Sequence, residues 1–278
     1  MVNIKISWIN ETSTYQVEKE LDSFIDNFLS SLKQYLKLAN IDIILIPFGL
    51  DPGFQKTLMK HRDYFQDPND INNLDYIEDG FAVYIPNTLL KNRDLCLIVV
   101  KVYKFMRVSI LHELYHLLFE NDNFKRTYLP RNYVNEGPDF SYYLEDFFVE
   151  YLALEKNINK IFNEREDIEE YQKLNELTDG IISKSLQIYN GFKNHGGGDL
   201  KGLLISLLSC YYIFFSCWRV VKKFLLEHEI QFKELWDKIL GLKELEFFKK
   251  ILVDMRNIFI EENLSHISNK LQILFNQL

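Results

Sequence analysis

Residues 110–119 read Ile-Leu-His-Glu-Leu-Tyr-His-Leu-Leu-Phe and contain the pattern His-Glu-x-x-His at His112, Glu113 and His116. Residues four apart lie on one face of an α-helix, so His112 and His116 can bind one metal ion together. Glu113 lies one step round the helix, where its carboxylate cannot be a third ligand but can reach a water molecule on that ion. Metal-assisted hydrolysis requires this arrangement, because the ion activates the water and the carboxylate accepts its proton.

The context of the motif supports a metal site. Histidine is scarce, with six residues in the whole chain, and the residues that flank the motif are apolar. Apolar flanks predict a largely buried helix, in which unpaired polar side chains are costly. The alternative is a core helix whose histidines meet solvent or a carboxylate. We favour the metal site, with zinc as the ion, because two histidines and a glutamate facing a core need a common partner.

Composition and charge exclude several other classes of function. The chain has 278 residues, enough for one large domain or two small ones, and its 22 Phe and 16 Tyr argue against disorder. A net charge of -8 without a basic stripe is unlike that of a nucleic-acid-binding protein. The three cysteines lie in apolar surroundings, which indicates buried free thiols in a reducing compartment. The N-terminus shows no secretory signal, so we expect a cytoplasmic protein.

One segment is apolar enough to challenge that expectation. Gly202 to Trp218 contains 17 residues without a charge, which is at the lower edge of a membrane-spanning length. The segment holds three serines and continues without a helix break into Arg219, Lys222 and Lys223. We therefore expect a buried central helix of a helical bundle rather than a membrane span.

Periodicity and turn residues predict a mixed first half and a helical second half. Helical spacing of apolar residues predicts helices over 15–38, 54–65 and 141–155, and β-branched runs ended by proline predict strands over 41–47 and 80–86. Between them, we predict one long helix that begins near Asp94 and runs through the motif, then a loop over 120–138. Further helices are predicted over 166–176, 181–193, 200–226, 230–240, 243–262 and 264–276, with breaks at 178–180, 194–199 and Gly241. The predicted domains are residues 1–158 and residues 159–278.

Two histidines do not complete a catalytic zinc site, which usually takes three protein ligands and a water molecule. The predicted helix 141–155 supplies three acids, Glu145, Asp146 and Glu150, within a strongly apolar segment. Glu145 and Glu150 are five apart, about 140° around a helix, and cannot both face the metal. Asp146 and Glu150 are four apart and can act together, one as ligand and one orienting a histidine. We favour Glu145 slightly over Glu150 as the third ligand and keep both open.

The motif and the acidic helix together resemble those of a gluzincin, a zinc hydrolase with His-Glu-x-x-His on one helix and a ligand glutamate on a later one. Within that class, residues 107–116 are most similar to the Arg-x-Thr-hydrophobic-x-His-Glu-hydrophobic-x-His pattern of ImmA/IrrE-type metallopeptidases. Two features depart from this family: Tyr115 replaces the usual glycine, and residues 145–149 read Glu-Asp-Phe-Phe-Val instead of Glu-Ala-Asn-x-Phe. Residues 147–150 are instead similar to the glutamate helix of lethal-factor-like toxin peptidases. The resemblance covers residues 80–155.

The predicted fold is α+β and mostly helical. The resemblance implies a zincin-like catalytic half with a small sheet, and the helical spacing of apolar residues predicts the all-α half that follows. The resemblance also implies a zinc-dependent metallopeptidase that hydrolyses a protein or peptide substrate, with Glu113 as general base. In zincins an edge strand lines the cleft and pairs with extended substrate, and residues 81–85 resemble that strand. Tyr115, Tyr142 and Tyr143 are candidates for stabilising the oxyanion.

The alternative function is that of a binding or regulatory protein in which the zincin fold holds a structural metal. The helical residues 159–278 would then recognise a partner protein. The two functions differ in their dependence on Glu113, because a structural metal site needs no general base.

Overall fold

The computed structural model describes residues 3–8, 15–30, 32–36, 40–46, 54–73, 82–102, 106–129, 138–161, 174–197 and 199–278. The fold is α+β, mostly helical with one small four-stranded mixed sheet. The chain divides into two compact units, Met1–Phe124 and Lys125–Leu278. The predicted boundary at residue 158 falls instead within a long helix of the second unit, Pro138–Ile161.

The sheet belongs to the first unit and consists of β1 (Asn3–Trp8), β2 (Asn40–Ile46), β3 (Ala82–Ile85) and β4 (Leu95–Lys101). Its strand order is β1-β2-β4-β3. Strands β1, β2 and β4 are parallel, whereas β3 runs antiparallel to β4 at the edge of the sheet. The predicted strands over 41–47 and 80–86 are therefore confirmed as β2 and β3. Strand β1 was not predicted.

The predicted long helix from Asp94 through the motif is wrong. Residues Leu95–Lys101 form the central strand β4, and the helix α3 begins only at Met106 and ends at Phe119. All six residues from Leu95 to Val100 are buried. A continuous apolar run is typical of a parallel strand that is covered on both faces. It outweighs the spacing of three between Lys101, Lys104 and Arg107, which had favoured a helix.

The remaining helices of the first unit are α1 (Tyr15–Ser30) and α2 (Phe54–Lys60), and both are shorter than predicted. Helix α4 (Asp122–Tyr128) lies within the predicted loop 120–138. Its start is stabilised by Asn121, whose side-chain oxygen accepts a hydrogen bond from the backbone N–H of Asn123 at 2.9 Å. Asn121 is thus the N-cap of α4.

Strand β3 presents its two faces to different neighbours. Val83 and Ile85 belong to the same core cluster as Phe54 and Leu58 of α2. Alternate residues of a strand point to opposite faces, so Ala82 and Tyr84 point away from that cluster. Helix α3, which carries the histidine motif, packs against β3. The motif helix is therefore held beside the antiparallel edge strand.

The second unit is helical, with α5 (Pro138–Ile161), α6 (Leu174–Asn194), α7 (Leu200–Phe224), α8 (Leu226–Leu240), α9 (Lys249–Glu261) and α10 (Leu264–Gln277). The predicted helix 141–155 is confirmed within α5, and the predicted breaks at 194–199 and Gly241 are also confirmed. The predicted break at 178–180 is wrong, because α6 continues through these residues and buries Thr178. Most of the predicted helix 166–176 lies outside the described residues.

Helix α7 contains the uncharged segment Gly202 to Trp218. It is long and apolar enough to cross a membrane by length and composition, and 56% of its most apolar window is buried inside the protein. Helix α7 packs against α5, α6, α8 and α9. This packing accounts for its apolar composition within the helical unit itself.

Candidate metal site

Helix α3 directs its two histidine rings towards one point. The Nε2 atoms of His112 and His116 are 3.1 Å apart. Two nitrogens bound to one tetrahedral zinc ion at about 2.0–2.1 Å are separated by about 3.3 Å. The spacing of four residues on a regular helix thus brings the two nitrogens to the separation that a shared metal ion requires. A direct hydrogen bond between the rings fits the same distance if one ring nitrogen is protonated and the other is not.

His112, His116 and Asp146 form a group that can hold a metal ion. One ligand atom from each side chain, an imidazole nitrogen or a carboxylate oxygen, lies within 4.8 Å of the other two. The histidines are partly buried, and Asp146 is only 5% exposed. Two imidazoles and a carboxylate make three protein ligands. Catalytic zinc sites usually have three protein ligands, with water in the fourth position.

The group contains neither Glu145 nor Glu150, the two third ligands favoured by the sequence analysis. Successive residues of α5 are about 100° apart, so Glu145 lies about 100° from the direction of Asp146. Its carboxylate accepts a hydrogen bond from Lys125 Nζ at 2.7 Å. Glu150 lies about 40° from Asp146, on the same face but one turn further along the helix. The third member of the group is thus Asp146, which was predicted from the sequence only as one of a pair with Glu150, one acting as ligand and one orienting a histidine.

Glu113 lies beside His112 on α3 and is 9% exposed. It is not a member of the metal-ligating group. Burial of a carboxylate is costly without a specific role or partner, and a water molecule on a metal ion held by the neighbouring histidines would supply both.

Tyr84 is a residue near Glu113 that the sequence analysis missed. Its hydroxyl donates a hydrogen bond to Glu120 Oε1 at 2.6 Å, from β3 to the residue after the end of α3. Burial raises the pKa of Tyr84, and so do the hydrogen bond to Glu120 and the negative charges of Glu120 and Glu113. The phenol therefore stays protonated and ties the edge strand to the motif helix. The only sequence signal was its alternation with Val83 and Ile85 in a predicted strand.

We expect Tyr84→Phe to loosen β3. The substitution removes a hydrogen bond to a charged acceptor, which contributes about 1.5 to 3 kcal/mol, so the amides of β3 should exchange with solvent at least about tenfold faster. Hydrogen exchange followed by mass spectrometry measures this rate. Tyr64→Phe is the matched control, because it removes a longer tyrosine–carboxylate bond, 3.2 Å to Asp42 Oδ2. Equal exchange of β3 in wild type and Tyr84→Phe would show that the bond does not hold the strand.

The three tyrosines predicted as oxyanion candidates have different surroundings. Tyr115 is buried, and its ring contacts Phe28 edge-on at 5.2 Å, so it packs in the core. Tyr142 and Tyr143 lie on α5, with ring centroids 5.5 Å apart. Tyr212 of α7, which was not predicted, lies 6.4 Å from the Tyr143 ring. Burial raises the pKa of Tyr212, and the neighbouring negative charges, those of Asp146 and Glu150 first among them, raise it further.

Comparison with known proteins finds no relative that indicates a function for this chain. No family model, no curated protein and no solved structure matches the chain. The features of the chain that bear on its function are the metal-ligating group, the buried Glu113 and the edge strand beside α3.

Proposed function

We propose that this protein is a zinc-dependent peptide hydrolase in which His112, His116 and Asp146 hold the metal ion and Glu113 is the general base. The observation that carries the proposal is the separation of 3.1 Å between the two Nε2 atoms, in a group completed by a buried carboxylate. Asp146 as third ligand departs from the gluzincin pattern, in which that ligand is a glutamate. The shorter side chain still supplies the carboxylate oxygen that zinc accepts.

Among the described residues the group offers three ligands, and three protein ligands leave one position open, as in a catalytic rather than a closed structural zinc site. When bound, the zinc ion would activate a water molecule and polarise the scissile carbonyl. Glu113 accepts a proton from the attacking water on its carboxylate and gives that proton to the leaving amine. Its burial beside His112 keeps that proton from bulk water between the two transfers.

The edge strand β3 supports a peptide as substrate. Within the described part of the sheet, β3 pairs only with β4, so its other edge can pair with an extended peptide. Because α3 packs against β3, a peptide bound there would run beside the motif helix. An antiparallel edge strand next to the motif helix is also the arrangement expected of a zincin-like fold, which we propose for the first unit.

We expect hydrolysis to depend on the metal ion. Protein carrying about one zinc ion per chain should cleave members of a peptide pool, and removal of the metal by a chelator should lower the rate at least about a hundredfold. Added zinc should restore the rate. A His112→Ala, His116→Ala double variant is the control, because it should not recover with zinc. Cleavage that survives loss of the metal would contradict the proposal.

A second candidate function keeps the metal site but makes it structural, with the helical unit as a binding module. The observation in its favour is the exposure of Leu226 and Ile230, which lie four apart on one face of α8. Exposed apolar residues on one face are typical of protein interfaces. This function predicts that partner binding needs the metal ligands but not Glu113.

A further inference from the structure

One face of α5 is both acidic and aromatic. With the direction of Tyr142 taken as zero, Asp146 lies at about 40°, Glu150 at about 80° and Tyr143 at about 100° around the helix. The candidate metal ligand Asp146 thus lies within an arc that also holds two tyrosines and a second carboxylate. The opposite arc of α5 holds the buried residues Leu144, Phe147, Phe148 and Tyr151.

Tyr212 extends this face from the neighbouring helix α7, which packs closely against α5. Ring centroids are 5.5 Å apart for Tyr142 and Tyr143, and 6.4 Å apart for Tyr143 and Tyr212. Tyr142 is 56% exposed, so the series of rings runs from the interior to the surface. Burial raises the pKa of the Tyr212 hydroxyl, and the negative charges of Asp146 and Glu150 raise it further, in keeping with carboxylates that lie near these rings.

This combination favours one kind of ligand group. The face of a tyrosine ring and a carboxylate both attract a cation, and both disfavour an anion. A lysine or arginine side chain adds an apolar stem that can lie along the rings while its charged end meets the carboxylate. We propose that Tyr142, Tyr143, Glu150 and Tyr212 form a subsite for a lysine or arginine side chain of the peptide substrate, next to Asp146. The inference rests on the proposed peptidase function, whose substrate class it narrows.

The experiment measures peptide binding separately from hydrolysis. Zinc-loaded Glu113→Gln protein is mixed with a pool of octapeptides whose termini are acetylated and amidated, so that side chains carry the only positive charges. Retained peptides are sequenced by mass spectrometry. We expect lysine and arginine at one position to be enriched about threefold to tenfold over norleucine, which has a similar stem without the charge.

Variants of the exposed ring test whether that preference arises at this face. Tyr142→Ala should abolish the enrichment, whereas Tyr142→Phe should retain it because the ring face remains. Phe247→Ala is the matched control, since it removes an equally exposed aromatic ring (58%) elsewhere in the same unit. Glu150→Gln should weaken the preference for lysine.

The outcomes separate the subsite from the catalytic proposal. Enrichment that is lost in Tyr142→Ala supports the subsite even if wild-type protein cleaves nothing, in which case only the hydrolase proposal fails. Cleavage by wild-type protein without a preference for basic residues overturns the subsite and leaves the hydrolase intact. Retention of no peptide, or enrichment that persists in Tyr142→Ala, also overturns the subsite.

Discussion

Asp146→Asn should remove the metal ion from the protein, whereas Glu145→Gln and Glu150→Gln should keep about one ion per chain. Asparagine has nearly the volume of aspartate but lacks the negative charge, so the loss would report ligation and not packing. Replacing a group that only orients a ligand typically weakens metal binding about 10- to 100-fold, and we expect loss of a ligand to exceed that range. Glu145 should be dispensable because its carboxylate binds Lys125.

Elemental analysis after purification without added metal, repeated after dialysis against zinc, measures this directly. Asp179→Asn is a suitable control, because it is an exposed acid of the helical unit that pairs with Lys238. If Glu150→Gln lost the metal and Asp146→Asn kept it, the ligand predicted from the Phe-Phe-Val-Glu resemblance would be the correct one. Retention of zinc by all three variants would mean that the carboxylates of α5 do not bind it.

The sequence was sufficient for the histidine pair because its geometry is local. Two residues four apart on one helix must lie on one face, whatever the rest of the chain does. The third ligand is a different kind of problem, because Glu145, Asp146 and Glu150 all lie on a helix distant in sequence. Which of them joins the histidines depends on the rotation of α5 about its own axis, and that rotation is set by its packing. A difference of one residue, about 100°, separates Glu145 from Asp146.

Strand β4 shows a second limit of local information. Residues 95–101 contain β-branched residues at a spacing compatible with either a strand or a buried helix, and periodicity cannot distinguish the two. Their pairing with β2 on one side and β3 on the other decides the structure. Strand β1 was not predicted for a related reason. It pairs in parallel with β2, and its residue Asn3 lies opposite Asn40, which is 37 residues further along the chain. Local sequence patterns do not contain this pairing.

Glu113→Gln should abolish hydrolysis while leaving the metal content unchanged. Glutamine preserves the volume of this buried side chain but cannot accept a proton, and a positioned general base typically contributes about 10²- to 10⁴-fold to the rate. The zinc content should remain near one per chain because Glu113 is outside the metal-ligating group. Single-turnover cleavage of a peptide from the active pool, with zinc content determined on the same sample, measures both quantities.

Glu120→Gln is the matched control for Glu113→Gln, because residue 120 lies two helical turns along the same face and its amide oxygen can still accept the Tyr84 hydrogen bond. Its rate should stay within about threefold of wild type, since Glu120 is outside the metal-ligating group and glutamine keeps a hydrogen bond to Tyr84. A Glu113→Gln variant that cleaves as fast as wild type would exclude the proposed general base. If that variant also retained binding of a partner protein that the metal-ligand variants lose, the structural-metal function would replace the hydrolase. Loss of hydrolysis with full zinc content, in contrast, is expected only if the buried carboxylate moves a proton during the reaction.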